Sequence, residues 1–233
     1  MERKPRTYLI IGCGHFGSRA VEKLLQNYPS SKIVVADKSR RAVQKVSRIP
    51  IEIHVSDGIS YVSQFFSEGR MADYIIPAVP IHLVYEFILS ELKPIGGKRA
   101  KLPSLPELPN PVIGKKGDLY TSLADFLCSE ECPEPAQYCT ATRKRRDSPL
   151  YKILTDLKGN FESRVIRSQQ LGPGLGGFRP EVMLNLLKHL KGKKNSARMI
   201  LISTASRCHG VTSALSFSKI PSAHEKSHSH SEE

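Results

Sequence analysis

Short apolar runs alternate with amphipathic ones along the first 93 residues. Residues 7–11 are apolar, rich in β-formers and end at Gly12, the pattern of a buried strand. Residues 18–27 place Val21, Leu24 and Leu25 on one helical face, and Pro29 closes the segment. Residues 32–36 predict a second strand ending at Asp37, and 40–46 a helix. A third strand at 51–55, a helix at 59–67, a fourth strand at 72–76 and a helix at 82–92 follow. Strand and helix in turn, four times over, predict parallel strands joined by right-handed crossovers.

The pattern then changes. Residues 94–117 are dense in proline and glycine without sustained periodicity, as in a linker. Beyond them, 120–131 are expected to form a helix. Ser148 and Pro149 are expected to open another, running to about residue 157. Residues 161–168 read as a strand, 180–190 as an amphipathic helix and 198–203 as a strand. The expected organisation is a nucleotide-binding unit at 1–93, a linker at 94–117, a smaller α/β segment at 118–218 and a disordered tail at 219–233. That second unit either extends the first sheet or stands apart from it.

Composition narrows the function classes. The net charge of +13 implies attraction to anions. Its clusters, at Lys98, Arg99 and Lys101, at residues 143–146, and at Lys188, Lys191, Lys193 and Lys194, are not interleaved with aromatics. A nucleic-acid stacking platform needs such aromatics, so nucleic acid is the least favoured partner. The most apolar long window, 71–89, contains Asp73, Pro77, Pro80, His82 and Glu86, which argues against membrane insertion. The early apolar run is too short for a signal-peptide core, so a soluble, cytoplasmic protein is expected.

Gly12-Cys13-Gly14-His15-Phe16-Gly17 fits G-x-G-x-x-G and stands between a predicted strand and a predicted helix, the context that the motif requires. Gly12 permits the tight turn, Gly14 lets main chain approach a pyrophosphate, and Gly17 lets the helix pack closely on the strand. The helix N-terminus, at His15 and Phe16, then presents N–H groups to the phosphates. Asp37, twenty residues beyond Gly17, is placed to accept hydrogen bonds from the ribose hydroxyls and to repel a 2′-phosphate. Lys38, Arg40 and Arg41 beside it blur that preference for NAD(H) over NADP(H). The expected fold is α/β, a Rossmann-like, mostly parallel sheet followed by a second, smaller α/β segment.

Residues 7 to about 92, with "LIIGCGHFGS", "VVADKS" and "VSDG", resemble the TrkA-N or RCK nucleotide-binding domain. They are also similar to the N-terminal domain of saccharopine-dehydrogenase-type oxidoreductases. The first resemblance implies a regulatory NAD(H) ligand at Gly12, Gly14, His15, Phe16, Gly17, Asp37 and Lys38. A homo-oligomer or a membrane transporter is the implied partner. The second implies a hydride carrier.

Three further features carry candidate chemistry. In "PAVPIHLVYE", His82 either acts as an acid or base oriented by Glu86 one turn on, or caps the helix and faces solvent. In "CSEECPEPAQYC", Cys128 and Cys132 are expected on one helical face, with Pro133 and Pro135 turning Cys139 back toward them. With the distant Cys208 they make four soft ligands, suited to zinc before an iron–sulfur cluster, or else reduced, packed thiols. The glycines of "LGPGLGGFRPE", with Arg179, make either a second anion cradle or a turn. In the tail, His224, His228 and His230 can bind a metal, although a solvated tract is the simpler reading.

Overall fold

The computed structural model describes residues 6–193 and 198–218, and the expected tail at 219–233 lies outside them. The chain is mixed α/β, with a parallel four-stranded sheet and further sheets beside it. The first sheet contains β1 (Thr7–Ile11), β2 (Lys32–Asp37), β3 (Glu52–Val55) and β4 (Tyr74–Pro77), in the order β3-β2-β1-β4. Each β1 residue from Tyr8 to Ile11 is buried, as expected of a strand with helices on both faces. The register pairs Ile11 with Ala36 and with Pro77, and Asp37 with Val55. The carboxyl ends of all four strands therefore share one edge.

The connecting helices are α1 (His15–Asn27), the short α2 (Arg40–Val43) with a 3-10 turn after it, and α3 (Gly58–Ser67). Asp57 caps α3, its carboxylate accepting the N–H groups of Ile59 and Ser60 at 3.1 and 3.0 Å. The hydrogen bond from Ser60 does most to hold that carboxyl below its ordinary range.

After α4 (Leu83–Leu92) the chain enters a second sheet. The supposed linker supplies β5 (Gly97–Ala100) and β6 (Val112–Ile113) to it. The helix expected at 120–131 is absent. In its place β7 (Leu119–Ser122) alternates buried Leu119 and Thr121 with exposed Tyr120, and irregular chain follows. Then come α5 (Leu150–Thr155) and β8 (Phe161–Arg167). The glycine-rich stretch forms a hairpin of β9 (Gln169–Gly172) and β10 (Leu175–Gly177). After the hairpin α6 (Pro180–Lys191), β11 (Met199–Ala205) and β12 (His209–Phe217) complete the fold. Pro149, rather than Ser148, holds the cap position of α5, and no side chain caps it.

The second sheet runs β6-β7-β12-β11-β8, with β5 also on β12. β12 pairs with β7 through residues 209–212 and with β5 through 214–217, so one long strand gathers a piece of the supposed linker and the strand that replaces the expected helix. Phe178, just past the hairpin, exchanges two main-chain hydrogen bonds with Ile75, at 2.8 and 3.0 Å, and so covers the β4 edge of the first sheet.

The two sheets share a core. α4 and α6 lie between them, and Ile88, Leu92, Phe178 and Met183 join one cluster with Leu9 and Ile75 from the first sheet and Ile200 and Leu215 from the second. Ile88→Ala is expected to lower unfolding free energy by about 2–5 kcal/mol, because it leaves a cavity in that shared cluster. Urea denaturation followed by far-UV circular dichroism and by tyrosine fluorescence should give a single coincident transition, shifted to lower urea.

Candidate functional site

Two of the three glycines at the end of β1 are demanded by sterics. Gly12 sits at φ +99°, and a Cβ there would stand 2.4 Å from the Ala78 carbonyl oxygen. A Cβ on Gly17 would stand 2.0 Å from the Gly12 carbonyl oxygen, so bare backbone lets α1 press against the strand end. Gly14 differs. Nothing lies within 4 Å of where its Cβ would be, so the space over the helix mouth is open. Gly14 is also the N-cap of α1, with no side-chain cap and no acid in the first turn. Such a terminus offers unpaired N–H groups and a partial positive charge.

Asp37 faces this loop. Its Oδ2 accepts the Cys13 N–H at 2.6 Å and its Oδ1 the Ser39 N–H at 2.7 Å. A carboxylate has about four lone-pair sites, so both oxygens keep acceptor capacity. Lys38 is exposed beside it, and Phe16 is 62% exposed on the first turn of α1. Cys13 is buried under the loop, and burial pushes its thiol up.

A segment that sequence reasoning did not place here lies across α1. The Glu130 carboxylate meets His15 Nε2 at 3.1 Å and also pairs with Arg19. Glu131 pairs with Arg19 and with Lys23, the latter at 2.6 Å. The strap is held from behind by the hairpin, where the Cys132 carbonyl accepts from Gly174 N–H at 3.0 Å and from Gln170 Nε2 at 2.7 Å. The doublet Glu130-Glu131 is visible in the sequence, but its partners are more than a hundred residues away, and no local signal links them.

Beside the strap is a cavity of about 1150 Å³, lined by Phe16, Arg19 and Lys23 of α1, by the cysteine-bearing segment, by the hairpin and by the turn between β11 and β12. Cys128, Cys132, Cys139 and Cys208 all line it. Cys128 and Cys132 are not on a helix. They flank a turn closed by Cys132 N–H to the Ser129 carbonyl at 3.0 Å. Cys208 is buried, which pushes its thiol up to about 12. Cys128 is also raised, by burial first and then by Cys132 and Cys139. Cys139 goes the other way, to about 7, because its sulfur accepts the Thr142 N–H, the Thr142 hydroxyl and the Ala141 N–H, with Arg146 near.

His82 and Glu86 are not brought together as an acid–base pair. His82 is 2% exposed and is engaged at both nitrogens: Nδ1 lies 2.8 Å from Ser213 Oγ and Nε2 lies 3.0 Å from Thr204 Oγ1. Ser213 donates its proton to Asp118 Oδ1, so its oxygen accepts from Nδ1–H, and Nε2 accepts from the Thr204 hydroxyl. Asp118 in turn takes Arg99 Nη1 at 2.7 Å. Glu86 meets Arg99 Nη2 at 2.7 Å and Lys116 at 3.2 Å instead. This chain of polar groups fastens the start of α4 to β11 and β12. The glycines of 172–177 make the hairpin rather than an anion cradle, and Glu181 already occupies the first turn of α6.

The chain belongs to the AF_1314_C family, described as "Uncharacterized protein, C-terminal domain", whose profile matches residues 84–218, more than half its length. It is also similar to an uncharacterized protein of Archaeoglobus fulgidus, 25% identical over 230 residues, covering 89% of this chain and 98% of that one. No solved structure matches. Among the described residues, no helix is long and apolar enough to cross a membrane.

Burial pushes the His82 imidazole down to about 3. The unfolded chain takes up a proton near 6.5 that the folded chain refuses, so stability falls as pH drops from about 6.5 toward 3, by at most about 1.4 kcal/mol per unit. Replacing the ring by His82→Asn should remove about one proton from that slope, measured by urea denaturation across pH 4 to 7 on both proteins. An unchanged slope would contradict the neutral buried ring.

Proposed function

We propose that residues 6–93 form a Rossmann-type unit that binds NAD(H), and that the protein is a nucleotide-sensing regulator resembling TrkA-N domains. The observation that carries this reading is the open space over Gly14 at an uncapped helix mouth, with the Asp37 carboxylate hydrogen-bonded to the same loop. The residues fit such a ligand. The main chain of Gly14, His15, Phe16 and Gly17 would receive the pyrophosphate, and Asp37 the adenosine ribose, where its charge disfavours a 2′-phosphate. Lys38 flanks the same edge. When bound, the nicotinamide supplies a redox-sensitive group; the chain's own residues bind and orient it.

A sensor is favoured over an oxidoreductase because His82, the candidate acid–base group, is buried with both nitrogens engaged on the second sheet. The strap supplies what a sensor needs. Glu130 holds His15 and Arg19, two groups at the helix mouth that phosphates would attract, so ligand and strap compete. Nucleotide binding then shifts the chain toward a state with the strap displaced, by as much as the ligand prefers that state. The same family of domains regulates potassium transport, which makes a second copy of the chain or a membrane transporter the proposed partner, in the cytoplasm.

Isothermal titration of the full chain with NAD, NADH, NADPH, ATP and ADP tests the reading. Heat with NAD or NADH, weaker binding of NADPH, and loss of binding in Gly14→Val with the fold intact are expected. Absence of heat with all five ligands would overturn it. Glu130→Gln with Glu131→Gln should tighten NADH by about twofold to tenfold, since exposed pairs are worth about 0.2–1 kcal/mol each.

A further inference from the structure

Four of the five cysteines meet in one place. Cys128, Cys132, Cys139 and Cys208 line the cavity beside α1, while Cys13 is buried beneath the glycine loop. The four come from two separate stretches of chain, residues 128–139 and the turn at 208, and the two are tied together. The Cys208 carbonyl accepts Leu123 N–H at 2.8 Å, where the cysteine-bearing segment begins. Glu134, between Cys132 and Cys139, accepts the Cys208 N–H at 3.0 Å and the Ser206 hydroxyl.

The backbone around Cys139 is tightly turned. The Cys139 N–H donates to the Lys144 carbonyl at 2.9 Å and closes a short loop over residues 139–144. Arg143 then turns into the left-handed region at φ +59° and donates its N–H to the Cys139 carbonyl at 2.9 Å. Among the described residues, non-glycine positive φ occurs at Asn110, Glu134 and Arg143, and two of these three bracket Cys139. Strained backbone of this kind is kept where it positions a functional group. Cysteine binds metal as the thiolate. Arg146 lines the same cavity, its Nη1 donating to the Pro135 carbonyl at 2.9 Å, so one guanidinium stands ready to offset a negative cluster.

We propose that Cys128, Cys132, Cys139 and Cys208 are the ligand set of a soft divalent cation of the zinc class, a structural site that pins residues 123–147 to the turn between β11 and β12. Four thiolates suit zinc in closed tetrahedral coordination. Among the described residues no three such groups stand at metal-holding separation, so the ion has to draw the thiols together. The segment that gives is 123–147, which carries no helix and pairs as a ladder only at Tyr138 and Arg145. Binding exchanges the four S–H protons, released to solvent, for one doubly charged cation, leaving a net charge of −2 on the cluster for Arg146 to offset. Glu130 and Glu131 lie between two of the ligands, so the ion also sets the strap on α1. The site stands apart from the nucleotide reading and does not rest on it.

The test uses the full chain, purified under reductant without chelator. Elemental analysis should find about one zinc per chain. Metal-free protein titrated with Co²⁺ alone should develop sulfur-to-metal charge-transfer absorption and tetrahedral d–d bands, saturating at one equivalent. Cys139→Ser and Cys208→Ser should each weaken cobalt at least about tenfold, and zinc should protect the basic run 143–146 from trypsin. Less than a tenth of an equivalent of metal with no charge-transfer band would overturn the proposal. So would iron with acid-labile sulfide, or a metal-free chain with three rather than five reactive thiols. The cobalt result on the unsubstituted chain stands even if a variant fails to fold.

Discussion

The contact on which the site depends is the approach of α1 to the end of β1. With 2.0 Å between a would-be Gly17 Cβ and the Gly12 carbonyl oxygen, only bare backbone lets the helix start where it does. That start points the first turn at the shared edge of four parallel strands, where Asp37 and the loop after β4 also end. A larger residue at Gly12 or Gly17 would push the helix off the sheet and lose the mouth with it. Gly14 is under no such packing demand, which is why its bareness reads as room for a ligand and not as a requirement of the fold.

The second half of the chain braces the first from two sides. On one side α4 and α6 fill a core common to both sheets, and the His82–Ser213–Asp118–Arg99 chain locks the start of α4 in place. Removing one member of such a buried charged network costs more than the network contributes net, because its partner is left unsatisfied. On the other side the hairpin closes the β4 edge and carries the strap back over α1. A helix mouth, a strap of carboxylates and a thiol-lined cavity thus lie side by side, although their residues are far apart in sequence.

The first sheet was legible because its signals are local: apolar runs, amphipathic helices, glycine at fixed offsets and an acid at the end of the second strand. The second sheet was not. β12 carries Thr212 and Ser213 as buried residues, and their polarity hides a strand whose burial is justified only by partners such as Ser203, Asp118 and His82. β5 and β7 look like linker and helix because their pairing partner lies about a hundred residues on. His82 was picked out for its place after the fourth strand, yet its role is set by hydroxyls on β11 and β12. Cys208 was set with the other three as a metal ligand, and all four line one cavity without three of them standing at metal-holding separation among the described residues; the turn geometry at Cys139 and the strap across α1 had no local signal, since both depend on tertiary contacts.

The proposed site requires a nucleotide to lie against the main chain of α1's first turn. The most direct measurement is the amide chemical shift of His15, Phe16 and Gly17 in isotope-labelled full-length protein as NADH is added. Saturable shifts at those amides and at Cys13, with Thr204 and Ser213 unmoved, are predicted. If those amides stay in place while others respond, or nothing responds, the site has been put in the wrong part of the molecule.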